Sequence, residues 1–170
     1  MIRIGQGIDI HPFDDSRPLI LAGVRISDRG GLGGHSDADA VLHALTDALL
    51  GAAGAGDIGQ YFPSSDARWK NAESSRFVAE ARRVVEEMSA EISNVDITIL
   101  AEKPKLAPFR EAMQAKIATM LDLPVGHVNV KATTTDHLGF IGRGEGICAM
   151  VVVLIEIGGE SERSPVEGVL

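Results

Sequence analysis

Residues 3–13 read RIGQGIDIHPF. Counting Ile2, isoleucines stand at positions 2, 4, 8 and 10, while Arg3, Gly5, Gly7, Asp9 and His11 hold the odd positions. This is the period-2 alternation of a β-strand with one face buried, apolar even positions set against polar odd ones. Residues two apart on a strand project from the same side, so the Asp9 carboxylate and the His11 imidazole point the same way at its end. Pro12 cannot donate to a ladder, and regular pairing is expected to stop there. A hard and a borderline ligand side by side suit a divalent metal such as zinc. By itself D-x-H is a common spacing, and a hydrogen-bonded surface pair is its more usual explanation.

The chain has 170 residues, enough for one domain with a sizeable core. With 45% hydrophobic and 24% charged residues, its composition is that of a soluble globular protein. A formal net charge of −8 and few aromatic residues argue against nucleic acid as a partner, since phosphate neutralisation needs a basic stripe. A small polyanionic substrate fits only if metals or local cations offset its charge. Cys148 is the sole cysteine, so no intrachain disulfide can form, and a reducing compartment is expected. No signal peptide is evident ahead of the first strand, so none is expected, and the apolar run AMVVVLI (149–155) is too short to span a membrane. The expectation is a cytoplasmic protein.

Beyond the opening strand, DDSRP (14–18) is a turn, and LILAGVRI (19–26) reads as one or two short strands broken at Gly23. The glycine-rich DRGGLGGHSDAD (28–39) leads into a helix over AVLHALTDALLGAA (40–53), with Ser36 or Asp37 as its cap. Residues 54–71 read as a long irregular loop, of the kind that is functional or disordered. A second helix has Phe77, Val78, Ala81, Val84, Val85 and Met88 spaced for one buried face; NVDITILAE (94–102) is a strand; a third helix carries a stripe of Phe109, Met113, Ile117, Met120 and Leu121. HVNVKATTT (127–135) alternates as a strand and runs into the glycine-rich loop 136–146. The last strand, ICAMVVVLIEI (147–157), is apolar on both faces and must be covered twice. Helices can cover one side, so a second copy is expected on the other. The fold class is α+β: one layered domain over 1–157, a mixed and mainly four-stranded sheet with helices on one face, and a polar mobile tail over 158–170.

His43 lies beside the apolar stripe of the first helix and can be brought over the strand end. Asp9, His11 and His43 would then give three protein ligands and leave a tetrahedral position open, the catalytic form of a zinc site. Asp39 or Asp47, one turn away on either side, can orient the His43 ring. His35 and Ser36 stand just before a helix N-terminus, where amides and partial positive charge suit phosphate. Thr133, Thr134 and Thr135 offer hydroxyls at a strand end, Asp136 can hold a second cation, and Arg143 presents a fork suited to phosphate.

Taken together, GIDIHPF, HSDADAVLHALTDALLGAAGAGDIG, FPSSD, NVDITILAEKPKL and VNVKATTTDHLGFIGRGEGI resemble the 2-C-methyl-D-erythritol 2,4-cyclodiphosphate synthases, in order and over nearly the whole chain. The resemblance implies an enzyme of the non-mevalonate route to isoprenoid precursors. It implies a homotrimer, its sheets packed together and its active sites between subunits, with zinc on Asp9, His11 and His43. A second divalent cation, magnesium or manganese, falls to Asp136, where the family has the longer glutamate. His35 and Thr134 are implied to steady the transition state. Substrate contacts are implied at Asp9, His11, His35 and Ser36, and at Asp57, Ile58 and Gly59, where Asp57 and Gly59 hold the methylerythritol hydroxyls. Phe62, Pro63, Ser64, Ser65 and Asp66 follow in the same loop. The cytosine pocket falls to backbone groups of Ala101, Glu102, Lys103, Pro104, Lys105, Leu106 and Ala107. Thr133, Thr134, Thr135, Asp136, Phe140 and Arg143 complete the set. Glu102 and Lys103 stand where the family often has uncharged residues.

The implied reaction is intramolecular phosphoryl transfer. The 2-phosphate of 4-diphosphocytidyl-2-C-methyl-D-erythritol 2-phosphate attacks the β-phosphorus, closing a cyclic diphosphate and releasing CMP. By the same resemblance, residues 142–146 lie towards the trimer axis, near a cavity said to accept isoprenoid diphosphate-like ligands. A buried ion pair of Arg143 and Glu145 across subunits is the simpler role for that segment. A zinc-dependent phosphoester hydrolase and a trimeric scaffold are the competing readings, separated by product and by metal content.

Overall fold

The first and last strands lie side by side: β1 (Ile2–Asp14) pairs antiparallel with β7 (Gly146–Ile157), from Ile2 opposite Glu156 to Pro12 opposite Gly146. The computed structural model describes residues 1–158, so the tail expected to be mobile lies, from 159 on, outside the described residues. Between the two strands come β2 (Leu19–Leu21), β3 (Val24–Ser27), β4 (Gly31–Leu32), α1 (Ala40–Ala53), α2 (Ile58–Tyr61) and α3 (Ser75–Glu87). They are followed by β5 (Ala90–Leu100), α4 (Arg110–Leu121), β6 (Val128–Thr133) and α5 (Gly139–Gly142). The main sheet has the order β4-β1-β7-β5-β6, with β5 and β6 parallel and the other pairs antiparallel. The α+β class holds, and the sheet gains a fifth strand, the two-residue β4, at its edge. The ladder with β7 does end at Pro12, but β1 continues and pairs Phe13 and Asp14 with β4.

The alternation in β1 is real and its facing is the reverse of the simple reading. Gly5 and Gly7 are buried, whereas Ile2, Ile4, Ile8 and Ile10 are 64, 66, 50 and 47% exposed. Helix α1 lies over the odd-numbered face. A Cβ on Gly5 would stand 1.9 Å from the Ala48 carbonyl oxygen, and one on Gly7 would stand 1.9 Å from that of Ala44. Glycine is therefore required where the helix backbone meets the strand. The core between sheet and helices gathers Val41, Leu42, Leu45 and Leu49 from α1, Val78 and Val85 from α3, Met113 and Ile117 from α4, and alternate residues of β5 and β7. On β7, Ile147, Ala149, Val151, Val153 and Ile155 face this core. Val152, on the opposite face, is 39% exposed beside the isoleucines. Among the described residues, no helix is long and apolar enough to cross a membrane.

Three local readings differ. The cap of α1 is Asp39, not Ser36 or Asp37: its Oδ1 accepts from the Val41 and Leu42 amides, both at 3.1 Å. The segment 54–71 contains α2 and a 3-10 turn at Ala67–Trp69, and loop 136–146 contains α5. Elements of three or four residues carry no readable periodicity.

Candidate metal centre

Asp9 and His11 stand on the odd face of β1, beneath α1, and His43 comes down from the first turn of that helix. The three side chains are 26, 15 and 12% exposed. Asp9 Oδ2 lies 2.8 Å from His11 Nε2 and 3.2 Å from His43 Nδ1, and the two ring nitrogens are 3.1 Å apart. Among the described residues this is the cluster of metal-donor side chains that converges.

The partners on the far side of each ring decide what those atoms offer. His11 Nδ1 is 2.7 Å from the Gly33 carbonyl oxygen. A carbonyl can only accept, so Nδ1 carries the proton and Nε2 turns its lone pair inward. His43 Nε2 is engaged by the Ser36 hydroxyl at 2.9 Å. A carboxylate and two imidazoles this close repel unless a proton or cation sits among them. Their separations approach the ~3.3 Å edge of a tetrahedron with bonds of about 2.0 Å. The donor set fits zinc, with fewer than four protein ligands. When a proton rather than a cation sits among these groups, burial still disfavours the Asp9 carboxylate, but hydrogen bonds and charge from the protonated His11 and His43 rings outweigh it and hold its pKa well below the usual range. Burial likewise opposes charge on His11, but the bond and charge of Asp9 together with the Gly33 carbonyl outweigh it and raise the ring above its ordinary value. Cys148 is buried nearby, and burial pushes its thiol pKa up, so it stays protonated and apart.

Neither carboxylate expected to orient His43 does so. Asp39 is fully buried and accepts from the amides of Ala22, Gly23, Val41 and Leu42. It thus ties the turn between β2 and β3 to the start of α1. Asp47 accepts from the Ile58 amide at 2.7 Å and so holds the segment carrying Asp57, Ile58 and Gly59. Ser36 takes the orienting role instead. Its hydroxyl is turned inward, with the residue 3% exposed, rather than out towards a phosphate. The sequence carried no periodic signal for this contact, because a loop folding back on its own helix makes it.

The remaining predicted residues fall into two groups. Beside the metal cluster, the Asp57 carboxylate caps α2 through the Gln60 amide at 3.0 Å, and Gly59 lies within that turn. Phe62 stacks on Phe77 with ring centroids 4.4 Å apart, and Phe77 in turn lies 5.9 Å from the His43 ring. Pro63, Ser64 and Ser65 are exposed, and Asp66 is bound by Arg68. His35 is exposed, its Nε2 3.5 Å from the Asp66 carbonyl oxygen.

The second group surrounds the ends of β5 and β6. Ala101, Glu102, Pro104, Lys105, Leu106 and Ala107 line a cavity of about 270 Å³ together with Thr133 and Thr134. Lys103 and Pro104, joined by a cis peptide, also border a neighbouring cleft beside Gly144. Asp136 and His137 both have left-handed backbone, φ 52° and 63°. Glu102 braces that turn: its Oε1 accepts from the Thr135 and His137 amides at 3.0 and 3.2 Å. Thr134 Oγ1 donates to Asp136 at 3.4 Å. Phe140 is 44% exposed on α5. Arg143 pairs with Glu145 at 2.6 Å within the chain, both side chains more than half exposed.

The two groups occupy the same end of the sheet at different strands. The end of β1 lies opposite the start of β7, Leu100 of β5 opposite Cys148, and Thr133 of β6 opposite Leu100. Three strand spacings, roughly 14 Å, therefore separate β1 from β6.

The chain is 52% identical over 156 residues to the 2-C-methyl-D-erythritol 2,4-cyclodiphosphate synthase of Shouchella clausii, covering 92% of this chain and 98% of that protein. The protein of the same name from Geobacillus kaustophilus is 53% identical over 156 residues, with coverages of 92 and 99%. Among solved structures, the bifunctional IspDF from Campylobacter jejuni superposes with a TM-score of 0.90 at 48% identity, over 93% of this chain and 43% of that one. A CDP complex of IspF from Plasmodium falciparum gives 0.82 at 34% identity, over 93 and 97%. With the YgbB family model matching residues 2–156, the chain belongs to that family, together with these 2-C-methyl-D-erythritol 2,4-cyclodiphosphate synthases.

Proposed function

We propose that the Asp9–His11–His43 cluster holds zinc and that the chain catalyses the cyclisation for which its relatives are named. The observation that carries this is the convergence of one carboxylate and two imidazole lone pairs within 3.2 Å of one another, in a chain of this family. The substrate is 4-diphosphocytidyl-2-C-methyl-D-erythritol 2-phosphate. An oxygen of its 2-phosphate bonds to the β-phosphorus, the bond from that phosphorus to the CMP oxygen breaks, and CMP leaves. The attacking monoester has a second pKa of about 6 and is already largely a dianion at neutral pH, so no strong base is required. What the protein must supply is in-line positioning of two anions and relief of their repulsion.

Zinc held by Asp9, His11 and His43 would supply Lewis-acid polarisation of a phosphoryl oxygen, and Asp136 would contribute to holding a magnesium or manganese ion that would offset the diphosphate charge. The chain's own residues do the rest. Asp57 and the backbone at Gly59 receive the methylerythritol hydroxyls, held in place by Asp47. Backbone groups of 101–107 receive the cytosine, and a CDP complex of the related Plasmodium falciparum protein supports a nucleotide ligand of this kind. His35 and Thr134 donate to phosphoryl oxygens as charge builds on them. We further infer a homotrimer packed through the even-numbered face of β1, with the metal cluster of one chain facing the 101–107 and 133–136 segments of its neighbour. The exposed isoleucines and the roughly 14 Å between the two groups within a chain support this arrangement. A lone unpaired cysteine accords with a cytoplasmic setting.

Phosphorus NMR of the products tests the reaction. The expected outcome is a cyclic diphosphate with stoichiometric CMP, abolished by exhaustive chelation and restored by zinc with magnesium. Release of inorganic phosphate, or full turnover after chelation, overturns it.

A further inference from the structure

The hydroxyl that holds His43 is itself held, and the chain of bonds behind it ends on a charge. Ser36 Oγ lies 2.9 Å from His43 Nε2 and 3.3 Å from Ser74 Oγ, and it accepts the Ala38 amide at 3.2 Å. Ser74 Oγ in turn donates to Asp37 Oδ1. The Asp37 carboxylate is fixed from two further sides, by the Ser74 amide at 3.0 Å and the Asp39 amide at 3.3 Å. Ser36 and Ser74 are 3 and 0% exposed. Ser74 sits at the N-cap of α3, yet its hydroxyl makes no cap bond, because it is committed to Asp37.

Counting protons along this chain gives it a direction. A carboxylate only accepts, so the Ser74 proton goes to Asp37. Ser74 can then only accept from Ser36, and Ser36, its one proton spent, can only accept from His43. His43 must therefore carry its proton on Nε2, which leaves the Nδ1 lone pair facing Asp9 and His11.

From this we infer that Ser74 and Asp37 are positioning residues, which act through Ser36 to fix the tautomer and angle of the His43 ring for metal binding. The inference rests on the zinc site proposed above. It makes the affinity of that site depend on two residues that touch neither metal nor substrate. Outer partners of metal-bound histidines typically contribute roughly 10- to 100-fold in affinity. Asp37→Asn has a particular consequence. The new amide donates to Ser74, and the whole chain can reverse until Ser36 donates to His43 Nε2, placing the ring proton on Nδ1 where it blocks coordination.

The test is zinc affinity by competition with a chromophoric chelator, alongside the visible absorption of the cobalt-loaded protein. Wild type, Ser74→Ala, Ser74→Thr and Asp37→Asn are compared, with Thr46→Ala as control. Thr46 is a buried hydroxyl on the same helix that donates to the Leu42 carbonyl, outside this chain of bonds. Ser74→Ala and Asp37→Asn are expected to weaken zinc binding on the order of 10-fold or more and to alter the cobalt spectrum. Ser74→Thr and Thr46→Ala are expected to match wild type. If Ser74→Ala fails to fold, Asp37→Asn decides the question alone. Wild-type affinity in that variant, or in a folded Ser74→Ala, overturns the inference, as does a Ser74→Thr as weak as Ser74→Ala. A wild type that binds no zinc instead removes the metal site itself, a distinct result.

Discussion

Asp39 stands one turn before His43 and reads from sequence as its orienting carboxylate; in the fold it faces the other way. Four backbone N–H groups point at it, and it is fully buried. Burial dominates those bonds and pushes its pKa from 3.8 up to about 6. A carboxyl raised on folding contributes stability that is fully present below its unfolded pKa and lost as pH rises through the folded value. Asp39→Asn has no such titration. In chelator-treated protein, the stability advantage of wild type over Asp39→Asn should therefore narrow by about 2–3 kcal/mol between pH ~4 and ~7. Urea unfolding at the two pH values checks this, and a constant gap contradicts it. At this scale Asp9, His11 and His43 were legible because strand and helix spacings project their side chains predictably. The Ser36 contact was not, since it depends on where a loop closes.

At the scale of elements, the decisive pair is β1 under α1. Reading large apolar residues as inward-facing puts the isoleucines in the core, but the two glycines admit the helix backbone and so define the inner face. Gly7→Ala puts a methyl group into the Ala44 carbonyl, and overpacking of this kind costs about 1–3 kcal/mol or more. Because α1 carries His43 and β1 carries Asp9 and His11, the displacement should also weaken zinc binding. Thermal melting and metal affinity should fall together, whereas Thr119→Ala on the exposed side of α4 should leave both near wild type. Long strands and helices were legible from periodicity. The short helices at 58–61 and 139–142 were not, because a single turn has no period to read.

For the whole molecule, the row of Ile2, Ile4, Ile8 and Ile10 with Val152 is the largest feature that one chain leaves unexplained. Light scattering is expected to give about three times the 18.0 kDa chain mass. Ile4→Lys with Ile8→Lys should shift it to monomer and lower turnover sharply, while the zinc cluster, built within one chain, keeps its metal. A monomeric wild type would contradict the assembly. The two-sided apolarity of the last strand made the uncovered apolar face of the sheet legible, but neither the copy number of an assembly nor a division of the site between chains follows from residue patterns.

The most direct test of the account is the zinc content of wild type and His43→Ala purified alike. The account predicts about one zinc per chain in the wild type and essentially none in the variant. A wild type without zinc, or equal zinc in both, would contradict it.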